Sequence, residues 1–175
     1  MKLIIQFKER MIILLGTIQY ITENMNGQPW QLGIYSGLKF EKYIFDIICH
    51  VLNPLFPHGI SIYETPNTRD DGKDIVIESM ISFQLFGVDF PLKGKKKIKI
   101  HIECKSSNEK KIDLDKFSKN LIIANHDEID YLVLVTNTTI SPFSYYQASE
   151  CSKDYNSEFI LIDQYLLYLF LKNNN

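Results

Sequence analysis

From Ile98 the chain reads Ile98-Lys99-Ile100-His101-Ile102-Glu103-Cys104-Lys105, an alternation of apolar and polar residues. Successive side chains of a strand point to opposite faces. Lys99, His101, Glu103 and Lys105 therefore share one face, and Ile98, Ile100, Ile102 and Cys104 the other. Upstream, Asp71-Gly72-Lys73-Asp74-Ile75 offers further acids. A carboxylate that can hold a divalent cation, with a lysine two residues along the same face, suits metal-assisted cleavage of a phosphodiester. The cation activates water, and the lysine neutralises developing charge or orients the attacking water. A blander reading fits the same residues. Glu103 and Lys105 would then form a solvated strand face, and Asp71 and Asp74 would be turn residues whose side chains hold a loop. Glu78, on the Asp74 face of its strand, is a reserve acid or a solvent-facing one. His101 is placed to touch a substrate phosphate or to pack as a neutral ring.

These residues need elements to position them. Ser36 is a helix cap, and Leu38, Phe40 or Tyr43, Ile44, Ile47, Ile48 and Val51 give an apolar stripe, so a helix is predicted that Pro54 and Pro57 end. Ile60 to Glu64 reads as a short strand, Thr65 to Lys73 as a polar loop, and Asp74 to Phe83 as a second strand. A connection from Phe86 to Lys97, with Gly87, Pro91 and Gly94, leads to the third strand at Ile98 to Lys105. Leu114, Phe117, Leu121, Ile122 and Ala124 place a helix at about 114–126. The continuous apolar run Tyr131 to Val135 predicts a strand buried on both faces. A helix from Pro142 to Cys151, a strand from Phe159 to Ile162 and a helix from Gln164 to Leu171 complete the order. The expected class is α/β, a mixed sheet flanked by helices. Residues 1–36 form an N-terminal extension whose pattern fits strands or an amphipathic helix, with a turn at Asn24 to Pro29, and 37–175 form the single domain. Asn173 to Asn175 reads as a frayed end.

Composition narrows the class. At 175 residues, 45% of them hydrophobic, the chain suits one globular domain with a full core. A net charge of -2 leaves any nucleic-acid contact to a local patch, or to a second copy or domain. Lys93, Lys95, Lys96, Lys97 and Lys99 form the dense basic run, either a phosphate-contacting segment or a solvated loop that protects a sheet edge. Cys49, Cys104 and Cys151 are too far apart for a zinc motif and fit reduced thiols in a cytoplasmic protein. The run Met11-Ile12-Ile13-Leu14-Leu15 is broken by Gly16, Thr17 and Gln19 without a small-residue cleavage site, so neither secretion nor membrane insertion is expected.

The order of elements and these motifs resemble the PD-(D/E)xK, restriction-endonuclease-like nuclease superfamily, and within it the Mrr-type, type IV restriction branch. The resemblance runs from about Gly37 to Leu171. Gly37-x-x-Phe40-Glu41 resembles the start of the family's first helix, and Asp71-Gly72-Lys73-Asp74-Ile75 its D-G-G-x-D-I segment, with Lys73 in place of the second glycine. Ile102-Glu103-Cys104-Lys105 resembles its strand ending, commonly Val-Gln-Cys-Lys. Leu132 to Asn137 and Ile160 to Asp163 resemble later family segments. The resemblance implies a core of order αβββαβ and a DNA endonuclease dependent on Mg²⁺, with Mn²⁺ able to substitute. Asp74, Glu103 and the Cys104 backbone carbonyl would be the metal ligands, joined by Glu41 at a second metal or a positioned water. Lys105 would be the positive partner of the attacking water. Two neighbouring acids repel, so without metal at least one carboxyl is expected above its usual pKa. DNA backbone contacts are expected from Lys95, Lys96, Lys97, Lys99 and His101.

Cutting both strands would need a homodimer or higher oligomer, and a separate sensor or ATPase component would suit an effector of prokaryotic restriction or antiphage defence. Two other readings stand beside this one. One is a nuclease-fold interaction or DNA-tethering module that no longer cuts; the other is a junction-resolving or repair nuclease with the same chemistry.

Overall fold

The structure, a computed structural model, describes residues 38–65, 74–106, 128–138 and 157–173, together with Tyr146 and Glu150. The extension 1–36, the Ser36 cap, Gly37, the loop acid Asp71, Cys151, the tail's last two residues and the helix expected at 114–126 lie outside the described residues. Of the helix expected from Pro142 to Cys151, only Tyr146 and Glu150 are described, both helical.

Helix α1 spans Leu38–Leu55. Phe40, Ile44, Ile47, Ile48, Val51 and Leu52 recur every three or four residues and are all buried, which is how a helix presents one apolar stripe to a sheet. Pro54 lacks the N–H that the last turn would use, and the helix stops one residue later. The strands are β1 Ile60–Glu64, β2 Ile75–Ser79, β3 Phe83–Leu85, β4 Val88–Phe90, β5 Ile98–Lys105, β6 Tyr131–Thr136 and β7 Glu158–Ile162, followed by α2 at Gln164–Asn173. Five of them form one mixed sheet in the order β1-β2-β5-β6-β7. Strand β2 runs antiparallel to both its neighbours, β1 and β5, and β5, β6 and β7 run parallel.

The second strand is shorter than its alternation suggested. Ser79 Oγ accepts from the Ile81 N–H at 3.2 Å and donates to the Ile81 carbonyl at 2.7 Å, so a side chain takes the backbone groups and bends the chain out of the sheet. The expected plain connection from Phe86 to Lys97 instead contains β4, which with β3 makes a hairpin. Its turn is Phe86-Gly87, with φ of 54° and 76°, the two left-handed residues that a tight hairpin turn needs. Phe83 stacks on Phe90 with ring centroids 5.2 Å apart, and Phe90 meets Tyr131 edge-on, also at 5.2 Å, so the hairpin is stapled to the main core.

One core lies between α1 and the sheet. It takes Ile75 and Ile77 from β2, Ile98, Ile100, Ile102 and Cys104 from β5, and Tyr131, Val133 and Val135 from β6. The opposite sheet face is buried too: Val76, His101, Glu103, Leu132, Leu134 and Thr136 are each at most 3% exposed. The strand expected to be buried on both faces, β6, is so along its whole length. Among the described residues no helix is long and apolar enough to cross a membrane.

Candidate functional site

The chemistry-bearing residues meet where β5 outruns β2. The last register pair between the two strands is Ile75 with Ile102, so Glu103, Cys104 and Lys105 project past the end of β2. An N–H on that overhang has no β2 backbone partner, and Asp74 supplies the missing acceptor. Its Oδ2 accepts the Cys104 N–H at 2.5 Å, while its own N–H donates to the Ile102 carbonyl at 3.1 Å. Asp74 is thereby clamped to β5 by main chain and side chain together. Its carbonyl accepts the Thr65 N–H at 3.1 Å, which ties in the end of β1.

Glu103 is 1% exposed, and Lys105 Nζ lies 2.5 Å from its Oε1. The lysine side chain is 42% exposed, so one charge of the pair is inside the protein and the other at its surface. The approach is a contact of opposite charges more than an aligned hydrogen bond. Glu41 stands in the first turn of α1, half-buried, where the helix N-terminus favours a negative charge.

Electrostatics join these side chains. Burial raises the Asp74 carboxyl above the usual carboxylate range, against the pull of the Cys104 N–H and the Lys105 ammonium. Burial also raises Glu41, and the Asp74 and Glu64 carboxylates push it further while Lys105 opposes. Burial by itself would pull Lys105 down. The Glu103, Asp74 and Glu41 carboxylates together outweigh it and hold the ammonium above its ordinary range. The Cys104 thiol is driven well up, first by burial and then by Asp74, Glu41 and Glu103, which leaves it protonated and inert as a nucleophile. A raised acid was expected from mutual repulsion; here loss of water is the leading cause and repulsion the lesser one.

The structure thus gathers Asp74, Glu103, Lys105 and Glu41 at one end of the sheet. Glu64, at the end of β1, adds an acid that the sequence reading passed over, and its only signal was its place just before the loop that leads to Asp74.

The other expected residues lie elsewhere. Lys97 is six residues before Glu103, about 20 Å along an extended strand, so the basic run is at the far end of β5. There Lys93 pairs with Glu158, Lys95 with Asp130, and Lys97 with Glu78 at 2.8 Å. Asp130 Oδ2 also accepts the Lys99 backbone N–H at 2.8 Å, and Lys96 is exposed. Glu78, the reserve acid, belongs to this far cluster. His101 is 2% exposed beside Leu132 of β6, a packed ring rather than a surface contact.

The donor set fits a hard divalent cation by type: three carboxylates and the Cys104 carbonyl, in a place where burial already penalises the acids. It does not form a ready cage, since no three His, Cys, Asp or Glu residues among those described are grouped closely enough to hold an ion. No protein-family model, no curated protein and no solved structure matches the chain.

Proposed function

We propose that this protein is a divalent-cation-dependent DNA endonuclease with a restriction-endonuclease-like core. The observation that carries the reading is the convergence of Asp74, Glu41 and the buried Glu103 on Lys105 at the open end of β5. A helix packed on a mixed sheet, whose antiparallel strands precede its parallel ones, supports the reading at the level of the α/β class.

Asp74, Glu103 and the Cys104 carbonyl would hold Mg²⁺ or Mn²⁺, with Glu41 at a second ion or a water. When bound, the cation supplies Lewis-acid stabilisation of a phosphoryl oxygen and a more acidic water. The chain's own part is positional. The Cys104 N–H fixes one oxygen of Asp74, so this carboxylate cannot swing away from the strand end. Lys105, half-exposed, presents a positive charge to a phosphate arriving from solvent. Glu41 is carried by the first turn of α1 and, with its raised pKa, is suited to accept a proton from water. Two copies would be needed to cut both strands, which suits a homodimer or higher oligomer. An effector of prokaryotic restriction or antiphage defence, paired with a sensor or ATPase component, is the context that the resemblance favours.

A second reading, a nuclease-fold module that does not cut, draws support from the ion pair that already covers Glu103. Cleavage of supercoiled plasmid with Mg²⁺ or Mn²⁺ separates the two. Wild type is expected to nick and linearise the plasmid, and Lys105→Ala to lose at least about 100-fold of that rate. Inactivity of both proteins would favour the silent module, and equal activity would refute the site.

A further inference from the structure

We infer that Lys105 is an internal competitor for the divalent cation: its ammonium occupies Glu103, and a metal ion must displace it to bind. The inference rests on the metal-dependent reading above and deepens it. Glu103 is 1% exposed and Lys105 Nζ lies 2.5 Å from its Oε1, closer than a cation could tolerate at the same oxygen. A cation bound to that oxygen would face the ammonium across a distance at which like charges repel strongly, because the pair is only partly wetted. The two cannot share that oxygen, and at the other oxygen of the same carboxylate they would still repel. Asp74 and Glu103 are each engaged by a β5 group, the Cys104 N–H and the Lys105 ammonium.

The exit is open. The Lys105 side chain is 42% exposed and is the last residue of β5, so it can leave Glu103 for solvent without disturbing the strand ladder. Once displaced, it stands beside the metal on the solvent side, which is where an incoming phosphate would meet it. Loading would therefore be steeply selective. A dication that gains both carboxylates displaces the lysine, whereas a monovalent ion, with half the charge, does not. A phosphate that attracts the lysine outward would favour loading as well, so substrate and metal would bind with positive coupling.

The test is metal affinity, read without catalysis. Mn²⁺ binding is titrated by electron paramagnetic resonance of free Mn²⁺, for wild type, Lys105→Ala and Lys105→Gln, with Glu103→Gln as the site control. The lysine variants are expected to bind at least about ten-fold more tightly than wild type, and Glu103→Gln more weakly. The gain should persist in 0.5 M salt, where the Debye length is only about 4 Å, because the competition is at contact. Far-ultraviolet circular dichroism and a cooperative melt of each variant ensure that only folded protein is compared; Lys105→Gln keeps a donor for Glu103 should Lys105→Ala fail to fold. Equal or weaker binding by the folded lysine variants overturns the competition while wild-type binding lost in Glu103→Gln preserves the metal site. A gain that vanishes in salt also overturns it, leaving only a distant charge effect. No binding by any of the proteins overturns both the competition and the metal-dependent reading.

Discussion

Asp74 is an acid held in a dry place by one hydrogen bond and one nearby cation, and that balance has a measurable sign. Its folded pKa is above the usual value because burial outweighs the Cys104 N–H and Lys105. In the carboxylate range the folded state then binds more protons at Asp74 than the unfolded state does. The slope of unfolding free energy with pH is proportional to protons bound unfolded minus protons bound folded, and so it is negative. The contribution is fully present below the unfolded pKa, about 3.9, and is lost as pH rises through the folded value. Glu41 acts in the same direction. Asp74→Asn keeps an acceptor for the Cys104 N–H and removes the titration. Urea unfolding of both proteins between about pH 4 and pH 7 should show wild type losing ground against Asp74→Asn as pH rises. A gap that stays constant, or moves the other way, would mean that Asp74 is not dominated by burial. At this scale the sequence was legible in part. Period-two alternation placed Glu103 and Lys105 on one face, and that local rule survives folding. It could not tell that His101 and Glu103 are buried, because what covers a strand face comes from parts of the chain remote in sequence. Nor could it place Lys93 and Lys95 against Glu158 and Asp130, whose nearness is created only by the β5-β6-β7 pairing.

Elements set the site by their ends. β5 reaches past β2, α1 begins beside the same edge, and α2 closes the last parallel unit. Asp163 caps α2: its Oδ1 accepts the N–H groups of Tyr165 and Leu166, both at 3.0 Å, which satisfies two of the donors that a helix start leaves open. Asp163→Ala should cost about 1 kcal/mol of stability, within a range of roughly 0.5–2, seen as a lower urea midpoint with unchanged slope. The cap sits at the same end of the sheet as Lys105 but two strands away, about 10 Å across β6, so cleavage per folded molecule should change little; a loss of activity without a loss of stability would show that α2 bears on the site. Helices α1 and α2 and the main strands were readable because each carries a repeated pattern, such as the Phe40 to Leu52 stripe or the unbroken Tyr131 to Val135. The β3-β4 hairpin was not. Its strands are three residues each, too short for a period to show, and its turn begins with Phe86 rather than with a residue that favours positive φ. Burial of Phe86 against Phe170, with ring centroids 5.1 Å apart, compensates for that backbone choice, and such compensation is visible only in three dimensions.

At the scale of the whole molecule, charge is sorted to opposite ends of β5. One end carries the acids around Lys105; the other carries the lysine run, about 20 Å away and neutralised by Glu158, Asp130 and Glu78. A chain of net charge -2 therefore has little free positive charge to give to DNA through that run. Each phosphate neutralised by a lysine steepens the dependence of log affinity on log salt by about 0.9. Four independent contacts by Lys95, Lys96, Lys97 and Lys99 would give a slope near -3.6, as the basic run alone suggested. With Lys95 and Lys97 committed to Asp130 and Glu78, the run should instead contribute about -1.8, through Lys96 and Lys99. Fluorescence anisotropy of a labelled duplex, titrated with the non-cleaving Asp74→Ala protein from about 50 to 200 mM salt, measures this directly. Lys96→Gln should flatten the slope by about 0.9, and Lys97→Gln should leave it nearly unchanged. Equal flattening by both would mean that DNA draws the lysines out of their ion pairs. The run would then be a binding surface that is self-neutralised only until nucleic acid arrives.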